Sequence, residues 1–238
     1  MNCKNCSTEV NLKYCPNCGH PVEVKRINGH YILHEIEHVL HFEKGILFTV
    51  RELLTKPGDS VRHFITENRS RLVKPVIFII VTSLIYTLIT HFFHIEDGYV
   101  TYNSVKKTST GLIFKWVQDH YGYANIIMGV FIAFWTKIFF RKYDDNFYEI
   151  LILLCFVMGM GMLFYAVFAI LQGLTHLDVV QAGGIVAIAY CVWAIGQFFD
   201  KRKTANYFKA FASYMLGMIS FMLSAMLLGT LADLLTGH

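Results

Sequence analysis

Val76–Phe93 reads VIFIIVTSLIYTLITHFF, eighteen residues without a formal charge. At about 1.5 Å of rise per residue such a stretch crosses the hydrocarbon core of a bilayer, and a membrane-spanning helix is its default reading. Before it the chain is polar, basic and cysteine-bearing; after it come four more long apolar runs, Tyr123–Phe140, Phe147–Leu171, Ala182–Phe199 and Ala210–Ala232. The expected fold class is therefore an all-α polytopic membrane protein of about five transmembrane helices, carrying a small N-terminal module.

Composition agrees. Of 238 residues, 55% are hydrophobic and 16% charged, with a mean hydropathy of +0.44. A soluble fold of this length has no core large enough to hide so much apolar surface, so a bilayer must take that part. The net charge of +4 is modest, but its placement is uneven: eleven of the 21 Lys and Arg precede residue 76, and none follows Lys209. Met1–Val10 is polar and lacks the apolar segment of a secretory leader, so delivery to the membrane is expected to rest on the internal spans.

Loop charges set the orientation. Lys106, Lys107 and Lys115 are spread through the long loop after the first span, whereas Arg141 and Lys142 crowd the short loop after the second. The loop after the third span has no Lys or Arg, and Lys201, Arg202, Lys203 and Lys209 follow the fourth. By the positive-inside rule this alternation predicts a cytoplasmic N-terminus and an extracytoplasmic C-terminus. In the outer loop His94–Gly122, Tyr99–Tyr102 has strand-like composition, and Leu112–Val117 suits a short interfacial helix with Phe114 and Trp116 at the headgroups.

The N-terminal module spans residues 1–21. Cys3, Cys6, Cys15 and Cys18 form two CxxC pairs, the second within CPNCG. A structural Zn2+ takes four thiolates in a tetrahedron, and each CxxC turn delivers two of them. Free or redox-active thiols are the alternative. A closed four-thiolate site leaves no position for substrate, so the expected zinc ribbon is architecture or a docking surface. Lys4, Lys13 and the single aromatic Tyr14 make too thin a footprint for nucleic acid.

Residues 22–75 are expected to form a cytoplasmic amphipathic helical collar. Pro21–Asn28 reads as a linker, and Ile32, Ile36, Val39 and Leu40 recur near a helical period from Gly29 to Leu54. His30, His34, His38 and His41 fall within about 80° on that helical wheel. The stripe suits either a polar face or a second metal or pH-sensing site. Lys56-Pro57-Gly58-Asp59 reads as a break, with Asp59 or Ser60 capping a second short helix carrying Val61, Phe64 and Ile65. Arg62, Arg69, Arg71 and Lys74 then cluster before the first span, where anionic headgroups would attract them at about 1 kcal/mol each.

Within the spans, Gly159, Gly161, Gly183, Gly217 and Gly229 lie among other small residues in patterns that let helices approach closely. Glu149, Asp233, His91, Lys137 and Gln197 lie near span ends, and none makes a recognisable catalytic pair.

The opening CKNC…CPNCG, followed by FEKGILFTVRELLTKPGDSVRHFITENRSRLVKP and several spans, resembles a bacterial membrane-protein family known only as a domain of unknown function. That family's pattern joins an N-terminal zinc ribbon to a block containing Pro-Gly and a hydrophobic domain. Lys44, Gly45, Thr49, Leu53, Pro57, Gly58, Ile65, Arg69 and Pro75 match the block. Where the family shows Gly-Lys-Arg, this chain has Glu67-Asn68-Arg69. The resemblance covers about residues 3–80, implies the zinc and the topology, and supplies no activity. The expected protein is thus a non-enzymatic scaffold or adaptor of the bacterial inner membrane, meeting anionic lipid headgroups and a protein partner or a second copy of itself. The alternative is a transporter, channel or lipid-moving protein.

Overall fold

The computed structural model describes residues 8, 9, 11, 14–18, 45–69, 71–95 and 109–236. The chain divides into two units, Met1–Glu43 and Lys44–His238. In the first unit Cys15 is buried and Cys18 exposed, on a turn whose Asn17 amide donates to the Thr8 hydroxyl at 3.3 Å. Glu9 and Tyr14 are isolated bridge residues, and among the described residues no strand extends from them. Cys3, Cys6 and the histidine stripe from His30 to His41 lie outside the described residues, as does all of the expected collar before Gly45.

The second unit contains eight helices among the described residues: α1 Ile46–Thr55, α2 Pro57–Thr66, α3 Pro75–Phe92, α4 Ser109–Asp119, α5 Tyr121–Phe139, α6 Phe147–Thr175, α7 Val180–Asp200 and α8 Thr204–Thr236. Five of these, α3, α5, α6, α7 and α8, are long and apolar enough to cross a membrane. All five expected spans are present, with shifted bounds. The largest shift is in α8, which starts at Thr204 instead of Ala210 because nothing in Thr204–Lys209 breaks a helix. The Lys209 ammonium reaches back over the Phe140 ring, 5.9 Å from its centre. α6 runs past Leu171 to Thr175 and stops where His176 turns left-handed at φ 56°. Its start is fixed by a reciprocal cap: the Asn146 side chain accepts from the Glu149 amide, and Glu149 accepts from the Asn146 amide.

The bundle is built around α6. Its side chains Leu153, Leu154, Phe156, Val157 and Met160 are almost fully buried. α3 packs along it, with Gly159 so near Phe78 that an added Cβ would lie 2.7 Å from the ring. α7 covers another side, and α5 and α8 cross where Gly217 meets the backbone of Ile132. The glycines thus sit at helix crossings as their spacing predicts, since without a side chain the backbones close to van der Waals distance. α4 is the short helix expected in the long loop after the first span, but Phe114 is buried against the bundle; Trp116 stays exposed and stacks on His120. The Ser109 amide donates to Asp233 at 2.7 Å, fastening α4 to α8. Tyr99–Tyr102 lies outside the described residues.

Candidate functional site: the collar and the groove beside it

α1 and α2 form the described part of the collar. The Lys56–Asp59 break exists, but its parts differ from the expectation. Pro57 is the first residue of α2, where its missing N–H costs nothing, and no side chain caps the helix. Gly58 is not a turn residue. It lies inside α2 against α7, where an added Cβ would stand 2.5 Å from the Gln197 carbonyl carbon and 2.6 Å from the Phe198 nitrogen. Only glycine lets these two helices touch so closely.

The apolar face of the collar enters the main core. Leu53 and Val61 are fully buried, and Phe64 meets Phe156 of α6 edge-on at 5.3 Å. Polar groups tie the collar to the bundle at matching points. The Tyr190 hydroxyl of α7 donates to the Leu53 carbonyl at 2.8 Å. The buried Thr49 hydroxyl accepts from the Val73 amide at 3.1 Å, holding the segment that leads into α3. Each satisfied group avoids the roughly 1–3 kcal/mol cost of a buried polar atom left alone.

Arg62 is the central fastening. Its guanidinium forks onto both oxygens of Asp145, donates to the Phe198 carbonyl at 2.9 Å and lies 3.8 Å over the Phe198 ring. Asp145, in the short loop between α5 and α6, is only 7% exposed at its side chain. Its backbone carbonyl also accepts from Lys137 at 2.6 Å. Arg62 therefore joins α2, the α5–α6 loop and the end of α7, through an internal carboxylate partner that the sequence reading did not foresee. The same holds for Arg71, which pairs with Glu52 at 2.7 Å. Both were drawn inward because a carboxylate faced them across the fold, which a linear charge count does not show. Farther out, Lys201 pairs with Asp59 at 2.9 Å, and Asp200 accepts from Lys203 and holds its ammonium pKa above the ordinary lysine value.

Arg69 and Lys74 remain. Both are exposed, and neither makes an ion pair among the described residues. Arg69 stands at the mouth of a groove of about 630 Å³. Pro75, Val76 and Ile79 of α3 form one wall, and Ile126, Gly129 and Val130 of α5 the other. Leu151, Ile152, Cys155 and Met158 of α6 make the floor. Asn125, fully buried, closes the far end near Ser83, with Nδ2 3.5 Å from the Ser83 hydroxyl.

Of the residues the sequence singled out, Thr49, Leu53, Pro57, Gly58 and Ile65 come together as packing groups of the collar. Cys15 and Cys18 share one turn, and the other two thiols of the expected zinc site are not described. No group of three or more His, Cys, Asp or Glu suited to a metal occurs among the described residues. Asp145 and Tyr190 were missed. The Asp144-Asp145 pair inside an otherwise basic loop was the available signal for the first; nothing in the sequence marks the second.

Fold and collar together define a class, a polytopic helical membrane protein with an amphipathic helix pair seated on one end of its bundle. A family profile described as a protein of unknown function (DUF3667) matches residues 43–87, the segment that holds the collar and most of α3. No curated protein and no solved structure matches the chain.

Proposed function

We propose that the protein is a membrane scaffold, a helical bundle with its collar fastened onto it and an N-terminal zinc ribbon on the cytoplasmic side. The observation that carries this reading is the seating of α2. Gly58 lies against the α7 backbone, and Arg62 bridges three elements. So much of the Pro-Gly block is spent on fastening the collar to the bundle that it reads as architecture and not as a reactive site. Cys3, Cys6, Cys15 and Cys18 hold structural Zn2+, and the ribbon they form meets a protein partner. The basic end, with Arg69, Lys74, Arg141 and Lys142, faces the anionic leaflet of a bacterial cytoplasmic membrane, placing the C-terminus outside.

The test is co-purification from native membranes in mild detergent, comparing wild type with Cys3→Ser/Cys6→Ser. A stoichiometric partner and one zinc per chain, both lost in the variant while the bundle still melts at the wild-type temperature, support the scaffold. A wild-type chain that comes out alone, or with its partner unaffected by the loss of zinc, overturns it.

A further inference from the structure

We propose that the groove between α3 and α5 is a phospholipid site, holding one acyl chain of an anionic lipid whose phosphate sits on Arg69. This rests on the reading that the basic end faces an anionic leaflet, and it assigns that contact a definite place.

The groove follows from how the helices diverge. α5 touches α3 near its own start, where Gly122 and Asn125 meet Ser83. It then leaves α3 to cross α8 at Ile132 and Gly217. The gap opens toward the collar, with α6 behind it and Phe64 of α2 also on its lining. Its walls are overwhelmingly apolar, and its volume of about 630 Å³ is in the range of ligand pockets, roughly 300–1,000 Å³. Water gains too few partners on such walls, and an empty cleft forfeits dispersion contacts, so hydrocarbon from the bilayer fills it.

An apolar cleft gives no reason to choose one lipid over another, because a chain in the groove and a chain in the bilayer are about equally apolar. Selection must come from the mouth, where Arg69, Asn146, Tyr148 and Glu149 lie. Glu149 and Asn146 are joined in the α6 cap, and Glu149 makes no ion pair with Arg69. Arg69 is exposed and pairs with no carboxylate among the described residues, unlike Arg62 and Arg71 on the same collar. A guanidinium presents a planar fork of donors that fits phosphate oxygens, and Tyr148 lines the same groove. Of Arg62, Arg69 and Arg71, two thus meet a carboxylate, and the one at the groove meets none among the described residues.

The test titrates phosphatidylglycerol and phosphatidylcholine of identical chains into the full-length protein in detergent, with bound lipids counted by native mass spectrometry. Wild type should retain one phosphatidylglycerol in preference to phosphatidylcholine. Arg69→Gln should cut that preference about fivefold, the loss of one charge at about 1 kcal/mol. Gly129→Leu should abolish retention of either lipid. Its Cβ would meet only the Met158 sulfur, at 3.5 Å, so the added chain fills the groove without displacing backbone. Equal retention of the two lipids by wild type, or a phosphatidylglycerol preference that survives Arg69→Gln, overturns the proposal. The scaffold reading is tested through Cys3 and Cys6, which neither groove variant touches, so the two can fail separately.

Discussion

α6 and α8 are the two longest helices, 29 and 33 residues, and both are apolar on every side. Their surroundings differ sharply. In the most apolar stretch of α6, 61% of residues are buried within the protein, against 17% for α8. α6 is enclosed by α2, α3, α5 and α7, whereas α8 lies at the rim, with Ile219, Leu223, Leu227 and Leu231 exposed. In a bilayer the core and the lipid are equally apolar, so hydropathy cannot say which helix is central. What each face meets does: α6 sets Gly159 under Phe78 and Phe156 under Phe64 besides packing on α5 and α7, whereas α8 meets Ile132 and Thr110 at Gly217 and Gly229 and leaves its outer face bare.

The harshest way to break this comparison is to attack the seat of the collar on the central region. Gly58→Leu should cost more than about 3 kcal/mol, since the new side chain meets backbone on α7 and has no rotamer in which to escape. The readout is thermal unfolding in detergent. One chemical change made in both regions sharpens the contrast further. Leu153→Ala, on the fully buried face of α6, should cost about 3 kcal/mol, and Leu223→Ala on the outer face of α8 less than about 0.5 kcal/mol. Equal costs would mean that α8 is covered by another protein surface in the state measured.

Arg62→Ala comes next, at about 2 kcal/mol. It strands the buried Asp145 carboxylate, but the guanidinium is itself a third exposed, which keeps the loss below that of a fully buried pair. Asp145→Asn in the same background should add little; if the two costs simply summed, the pair would not be coupled. Smallest is Trp135→Phe, which removes the hydrogen bond from the indole to Ser220 across α5 and α8. About 0.6 kcal/mol is expected, the usual worth of such a bond inside a membrane.

Much of the fold was legible because a spanning helix must satisfy its own backbone, so length and hydropathy alone locate it. Glycine spacing pointed to the crossings for the same reason. The collar was half legible. Val61, Phe64 and Ile65 announced an amphipathic helix, yet Arg62 and Arg71 read as headgroup ligands because their carboxylate partners are remote: Asp145 is 83 residues away from Arg62 and Glu52 is 19 from Arg71. Gly58 next to Pro57 imitated a turn, and only a helix from the far end of the chain reveals why glycine is required there. The groove left no trace in sequence, since it arises from the divergence of α3 and α5, a relation between helices and not a property of either.

The lengths of the helices carry one more consequence. α3 has 18 residues and α5 has 19, which at 1.5 Å per residue gives about 27–28 Å, while α8 at 33 residues extends about 50 Å. The excess length of α8 is not all apolar: its ends carry Lys209, over the Phe140 ring, and Asp233, bonded to the Ser109 amide. A helix that outreaches its neighbour α5 by about 20 Å must therefore tilt across it or carry those polar ends beyond the hydrocarbon.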